Sequence, residues 1–299
     1  MQPRPDPTPR YFAVEGPSAR EFTPPSGGTT GGGTAGAGSP AEVLDGLGAA
    51  VYEGLRTYDG SCFFALAEHL GRLARSCADF GAPLEFEADD VYRALVQAGA
   101  RFRMDRGVDA RVRIDVCRGP LTAVGSAATV VLTLTEFHGV GREASTRGVE
   151  VATTSAIRRE RPTVKDSHWT VVRERHIRAT PRLAACYEPV LVDDAGRLLE
   201  GVQSNVVCVR DGVPYTAPSR VLPGVTRDAV LELSPEEPIR DFVDLRQLGR
   251  FEECFLTSSV RGVVPIVKLD DTVFGDGRPG PLTRELMARY EAHVAQHLR

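Results

Sequence analysis

Apolar and polar positions alternate with a period of two in some stretches of the chain and recur every three to four residues in others, which divides it into strands and helices. VYEGLRTY and SCFFAL are β-rich runs on either side of Asp59-Gly60, a dipeptide that supplies positive φ, and they predict a hairpin. AEHLGRLARSCADFGAPL instead sets Leu70, Leu73, Cys77 and Phe80 at helical spacing and ends at Gly81 and Pro83, leaving His69, Arg72 and Arg75 toward the hairpin or water. A second helix is expected from about Asp89 to Met104, then paired strands in ARVRIDVCRG and ATVVLTLTEF. FHGVGREASTRG has neither period and marks a linker. Beyond it GVEVATTSAI is a strand and residues from about Asp166 to Arg178 are helical. AACYEPVLVDD, RLLEGVQSNVVCVRDGVPYTAPS and ECFLTSSVRGVVPIVKLD add strands, with turns at Ala195-Gly196 and from Ser258 to Gly262. Further helices are expected from Thr226 to Leu233 and from near Pro281.

The pattern is α+β in two domains, residues 41–140 and 141–299. The first 40 residues are rich in Pro, Gly, Ser and Thr, and a stretch such as GGTTGGGTAGAGSP cannot offset its ordering entropy, so this segment is expected to be flexible. Within it, PRYFAVEG has the alternation of a short strand laid on the body.

Composition narrows the function classes. With 299 residues, 42% hydrophobic and 25% charged, the chain is that of a soluble globular protein with ample core. A net charge of −4 creates no global field toward nucleic acid or an anionic membrane, so small molecules or a second copy are the expected partners. Neither an apolar run long enough to span a membrane nor a secretory leader is present. Cys62, Cys77, Cys117, Cys186, Cys208 and Cys254 sit mostly in apolar segments without metal-ligand spacing. They read as buried thiols, with no metal site and a reducing, cytoplasmic compartment expected.

Candidate chemistry begins at RPTVKDSHW. Lys165 is one of only two lysines, with Lys268, and an amine, unlike a guanidinium, can lose its proton when desolvated and attack a carbonyl. Coding bias toward Arg would also leave an isolated lysine with no such role. In LPGVTRDAVLEL the backbone is exposed at Pro223-Gly224 and Thr226 stands at a helix N-terminus, where unpaired N–H groups bind phosphate; read alone, Thr226 is more often simply a helix cap. LTSSVRG offers the hydroxyls and N–H groups of Ser258 and Ser259, and alone is only a loop. Glu200 ends an apolar strand, either as a buried carboxylate that needs a positive partner or as a turn-edge residue in water.

Taken in order, VYEGLRTYDG, EHLGRLARS, the lysine turn, LLEGVQSN, LPGVTR and ECFLTSSVRGVVPI resemble the class IV aminotransferases, the fold-type IV pyridoxal-phosphate enzymes. These include branched-chain and D-amino acid aminotransferases and aminodeoxychorismate lyase. The resemblance runs from about Ala50 to the C-terminus. It implies the two-domain, D-amino acid aminotransferase-like fold, with antiparallel and mixed sheets flanked by helices, the cofactor pyridoxal 5'-phosphate, amino acid and 2-oxo acid as substrates, and a homodimer. Carried over residue by residue, it makes Lys165 the Schiff-base lysine, Glu200 the carboxylate facing the pyridine nitrogen, and Arg72 a phosphate ligand. Gly224, Val225, Thr226, Ser258 and Ser259 would line the same phosphate; Ser204 and Asn205 would lie along the cofactor, and Tyr52 and Arg56 would face the substrate.

Three departures stand out. SHWT, with His168, Trp169 and Thr170, occupies the place where branched-chain enzymes carry a Tyr after the lysine. Arg118-Gly119 is followed by PLTAVGS and not by the Arg-x-His pair of the D-amino acid enzymes, leaving Arg56, Arg111, Arg113 and Arg118 as candidate carboxylate clamps. The approach to the first strand reads DGLGAAVYEG. The function expected is transfer of an amino group between an amino acid, L in configuration and branched-chain among the candidates, and a 2-oxo acid. A lyase of the aminodeoxychorismate type and a non-catalytic binding protein on the same scaffold are the alternatives.

Overall fold

The structure is a computed structural model that describes residues 8–25, 39–80 and 85–299. Most of the Gly-rich leader and the Gly81–Pro83 stop of the first predicted helix lie outside the described residues. The chain divides into two compact units.

The first unit comprises Met1–His138, Val164–Val171 and Leu298–Arg299. Its elements are β1 (Arg10–Glu15), β2 (Ser18–Phe22), α1 (Pro40–Gly46), β3 (Ala49–Arg56), α2 (Leu66–Asp79), α3 (Ala88–Arg106), β4 (Asp109–Cys117) and β5 (Val130–Phe137). The strands form one antiparallel sheet in the order β2-β1-β5-β4-β3. Period-two alternation puts Phe12, Val51, Leu55, Val112, Ile114 and Leu132 on one face, where Leu73 of α2 and Leu95 and Phe102 of α3 cover them. Tyr11, Ala13 and Val131 belong to the opposite face, packed with Leu44 of α1. The alternation in PRYFAVEG is therefore that of a strand, and β1 and β2 order part of the expected flexible segment because Phe12 and Ala13 are fully buried.

The predicted hairpin is only partly formed. Asp59 and Gly60 take φ of 50° and 80°, and Tyr58 and Cys62 pair across them. SCFFAL does not continue the ladder, however. Phe63 is drawn into the core, the chain turns at Ala65 with φ of 52°, and β3 pairs along its length with β4, whose alternating Val112, Ile114 and Val116 match its buried face.

The second unit comprises Gly139–Thr163 and Val172–His297. It contains α4 (Arg142–Arg147), β6 (Val149–Thr154), most of α5 (His168–Ala179), α6 (Pro181–Ala185), β7 (Pro189–Val192), β8 (Leu198–Gly201), β9 (Asn205–Arg210), β10 (Val213–Thr216), α7 (Val225–Glu232), β11 (Ile239–Arg240), β12 (Glu253–Ser258), β13 (Gly262–Leu269), β14 (Thr272–Val273) and α8 (Pro281–Gln296). Its mixed sheet runs β11-β10-β9-β12-β13-β6-β7-β8, with parallel pairs at β10–β11, β13–β6 and β6–β7. Strand β8 also pairs with β9, at Glu200↔Asn205, so the sheet closes on itself there. Val151, Val190, Val206, Leu256 and Ile266 share its core. The units divide within the expected linker FHGVGREASTRG, which also holds α4; the Ser145 and Thr146 hydroxyls donate to Arg142 O, and Gly148, at φ of 77°, follows its end.

The expected division put Lys165 in the second domain, but its segment clusters with the first unit. Lys165–Ser167 runs along the free edge of β3: Tyr52 N–H donates to Lys165 O at 2.8 Å and Ser167 N–H to Ala50 O at 2.9 Å. Among the described residues no helix is long and apolar enough to cross a membrane.

Helix α3 approaches the Asp59-Gly60 turn through Gly99, where an added Cβ would lie 2.1 Å from Gly60 O. Gly71 of α2 has room, its nearest neighbour being Arg75 Nη1 at 3.7 Å. Gly99→Ala should therefore cost about 1–3 kcal/mol by overpacking, whereas Gly71→Ala should gain about 0.5–1 kcal/mol from helix propensity. Denaturant titration of the two variants checks this, and equal effects would contradict the packing described.

Candidate active site

Strand β3 and helix α2 place a carboxylate where water does not reach. Period two carries Glu53 to the core face, between Val51 and Leu55, and its exposure is 0%. On α2, His69, Arg72 and Ser76 recur at helical spacing and form a buried polar stripe facing it. Arg72 Nε and Nη2 each donate to Glu53 at 2.8 Å, and His69 Nδ1 lies 2.9 Å from Oε2. Lys165 Nζ stands 3.9 Å from that same oxygen and 5.3 Å from the Tyr52 ring centroid, its side chain 14% exposed. Lys165 N–H donates to Ser76 Oγ at 3.2 Å.

Burial pushes the Glu53 carboxyl up, but the charges of Arg72 and Lys165 and the bonds from His69 and Arg72 outweigh it and hold the group well below the usual carboxylate range. Burial pulls His69 below its ordinary value more strongly than Glu53 raises it, so the imidazole is neutral near pH 7.

The segment after Lys165 is fixed on the other face of the sheet. Arg113 grips Asp115 with two bonds of 2.7 Å and donates to Thr170 Oγ1 at 3.0 Å, while Ser167 Oγ donates to Asp115 at 2.8 Å. The Arg113 guanidinium lies 3.9 Å from the Tyr52 ring centroid. Arg56 stacks on Tyr58 and Phe137, and its buried Nε has no hydrogen-bond partner.

In the second unit, Glu200 is 2% exposed and not a turn-edge residue in water. Arg159 Nε donates to Oε1 at 2.7 Å, and Leu222 N–H and Asn205 Nδ2 donate to Oε2 at 2.9 and 3.3 Å. Asn205 Nδ2 also reaches Leu222 O at 3.0 Å, which ties β9 to the loop before α7. That loop comes so close that a Cβ on Gly224 would meet Asn205 Oδ1 at 1.9 Å. Gly224 is the N-cap of α7 and gives no side-chain bond, so Thr226 does not cap the helix; its hydroxyl lies 3.0 Å from Ser259 Oγ. Uncapped first-turn N–H groups, the helix dipole and two adjacent hydroxyls give this turn the donors and the positive end that an anion requires. Ser204 and Ser258 have other commitments. Ser204 Oγ donates to the buried Glu188 at 2.9 Å, and Arg261 joins the two sides by pairing with Glu188 and donating to Ser258 Oγ.

The first unit thus gathers Lys165, Arg72 and Tyr52, and the second gathers Glu200, Asn205, Gly224, Val225, Thr226 and Ser259. Glu53 was missed, although in VYEGLR it is, like Glu200, a carboxylate at a core position of a strand. Arg159 carries no such signal, being one of several arginines in IRRERP. Among the described residues no group of three or more His, Cys, Asp or Glu side chains is placed to hold a metal.

Residues 50–269 match the family model described as amino-transferase class IV. Over 83% of this chain and 87% of the relative, the sequence is 30% identical to a "Probable branched-chain-amino-acid aminotransferase" of Thermotoga maritima. It is 29% identical to a D-alanine aminotransferase of Bacillus licheniformis, over 83% and 88%. The branched-chain amino acid aminotransferase of T.th., crystallised with pyridoxamine 5'-phosphate, superposes with a TM-score of 0.76 at 23% identity over 97% of each chain.

The depressed His69 and Glu53 groups have one consequence for stability. Each is less readily protonated in the folded chain than in the unfolded one, so each contributes stability above its unfolded value that is lost as the pH falls toward its folded value. Thermal unfolding should show stability declining below pH 6.5, the ordinary value for His69, and again below 4.5, that for Glu53. His69→Gln should flatten the first decline and spare the second; an unaltered profile in that variant would contradict the assignment.

Proposed function

This chain belongs to the class IV aminotransferases, and we propose that Lys165 is its cofactor-bound and proton-carrying lysine, with Arg72, Glu200, Asn205 and the Gly224–Thr226 turn as the groups that hold the cofactor. The activity is pyridoxal-phosphate-dependent transfer of an amino group between an amino acid and a 2-oxo acid. The residues present fit that cofactor. A phosphate dianion needs a cation and N–H donors, offered by Arg72 and by the uncapped turn of α7. An aldehyde needs an amine shielded from water, and a pyridine nitrogen needs a buried carboxylate held in place by a cation; Lys165 and the Arg159-paired Glu200 are such groups.

When bound, pyridoxal phosphate supplies an aldehyde that condenses with amines and a ring that draws electrons from the substrate α-carbon. The protein's part is positional and protonic. Lys165 would be the group that holds the cofactor's aldehyde and, once freed by the substrate, the base whose Nζ accepts and returns the α-proton. Glu200, held by Arg159, Asn205 and Leu222 N–H, keeps a fixed orientation and needs no reorganisation during the reaction. The phosphate ligands anchor the ring within the small tolerance that proton transfer allows. Tyr52, lying against Lys165, lines the substrate side. Arg56, an aromatic-stacked guanidinium with an unsatisfied Nε, is its companion for a substrate carboxylate.

The single observation that carries this reading is that a rare lysine is pinned by its backbone to the strand and helix bearing Arg72, and not set out in solvent. For the substrate we propose an L-amino acid, branched-chain among those accepted. The relative named for branched-chain amino acids supports this, as does PLTAVGS in place of an Arg-x-His pair, against the nearly equal likeness to the D-alanine enzyme. A homodimer as the functional unit and a reducing cytoplasm belong to the same proposal, the first supported by the family resemblance and the second by six free thiols.

Absorption spectroscopy of the cofactor-loaded protein tests the assignment. Lys165→Ala should lose the visible band of the lysine-bound cofactor and slow turnover by about 10²–10⁴-fold or more. In the unsubstituted protein, branched-chain L-amino acids should bleach the band once, with continued conversion only after a 2-oxo acid is added. Retention of the band in Lys165→Ala, or bleaching by D-amino acids alone, would refute the lysine's role or the stereochemistry respectively.

A further inference from the structure

Glu53 has no part in the chemistry described so far, yet its surroundings exceed what a structural ion pair requires. Arg72 alone would neutralise it. The fold nonetheless brings Lys165 Nζ to 3.9 Å from Oε2, and the approach is built into the backbone. Tyr52 N–H, Ala50 O and Ser76 Oγ all bond the Lys165–Ser167 segment, and they belong to the elements that bear Glu53 and Arg72. The distance therefore follows from strand register and helix placement.

Charge decides what this proximity does. With Lys165 as a neutral amine, the cluster of Glu53, Arg72 and neutral His69 sums to zero; with Lys165 as an ammonium it carries one positive charge. In a site where Glu53 is wholly shielded from water, the energy of that added charge depends strongly on the anion beside it. Other charged groups also face the lysine's surroundings: Arg72 from α2 opposes the ammonium, and Arg113 from β4 stands across the Tyr52 ring with its charge matched by Asp115.

We propose that Glu53 is a positioning residue for the transfer reaction: it is the counter-charge that holds the Lys165 ammonium while that nitrogen carries the substrate's α-proton. This rests on Lys165 being the reactive lysine. The proton balance is simple. The α-carbon loses a proton to the Lys165 lone pair, the ammonium stands against Glu53, and the same proton then leaves Nζ for the acceptor carbon, restoring the amine. Glu53 itself stays ionised throughout, because Arg72 and its other neighbours hold its carboxyl well below the usual range, so it does not take the proton away.

The chain suits a direct test because it has only two lysines, and Lys268, half-exposed and 3.5 Å from Glu150, serves as an internal reference. The full-length protein freed of cofactor is treated with an acylating reagent across a pH series, and the extent of modification at each lysine is read by peptide mass spectrometry. In Glu53→Gln the Lys165 midpoint should fall by about 1–3 pH units, with Lys268 unmoved. Arg72→Gln should move it the opposite way, upward, and Glu53→Asp, which keeps the charge but withdraws it by one methylene, should give a smaller fall than Glu53→Gln.

Opposite signs are the key observation, since general loosening of the site would bring both variants toward the same solvent value. An unmoved Lys165 midpoint in a Glu53→Gln protein that keeps its near-ultraviolet circular dichroism overturns the inference. Should that variant fail to fold, Arg72→Gln decides: an unchanged or lowered midpoint overturns it. Loss of the lysine-bound absorption in Lys165→Ala together with an unmoved midpoint in Glu53→Gln removes this inference and leaves the lysine's assignment standing. Retention of that absorption removes the assignment on which it rests.

Discussion

A carboxylate with no access to water organises the first unit. Ionised and alone, Glu53 would cost several kcal/mol to bury, and breaking a buried pair by removing one partner typically costs about 3–5 kcal/mol. The fold meets this with both arms of Arg72 and with His69, three residues away on α2, which requires α2 to lie along β3 at one rotation. Ser76, one turn further, then faces the segment that carries Lys165. One electrostatic requirement thus sets the helix, the helix sets the lysine, and little freedom is left for the amine to drift. Such rigidity is what proton transfer at a fixed distance demands.

The same physics recurs in the second unit with different partners. Glu200 and Glu188 are both buried near the closure of the sheet, and each is bonded by an arginine, by a backbone N–H and by a neighbouring polar side chain. Close backbone approach makes these shells possible. A Cβ on Gly201 would lie 2.3 Å from Ser204 Oγ and 2.5 Å from Glu188 Oε1, and Gly224 packs directly on Asn205. Glycine at those places lets the turn before α7 and the Glu200 carboxylate share one hydrogen-bonded network through Leu222 and Asn205.

Much of this was legible in the chain. The 3.6-residue period of EHLGRLARSCAD and the period of two in ARVRIDVCRG report local burial, and both elements form where expected. The lysine, the glycine before Thr226 and the core-position Glu200 were visible because each breaks a local pattern in a way that chemistry explains. SCFFAL misled for a related reason. Its composition is that of a strand, but pairing depends on which partner matches the buried face, and β4 matches β3 better. FHGVGREASTRG contains the division between the units, but its glycines hid the short helix that ends before Gly148.

By itself the sequence determined most element types, the collinear series of motifs and thereby the family, since these depend on residue type and on neighbours a few positions away. Tertiary structure alone decided that Lys165 lies on the edge of β3, that Arg113 pairs with Asp115, that Arg159 is the cation beside Glu200, and that Glu53 faces the amine. Most of these join residues dozens to more than a hundred positions apart. Periodicity shows that a charged side chain is buried. Which opposite charge it meets depends on how strands register and helices rotate, and on the energetic demand that no ion be left dry and unpaired.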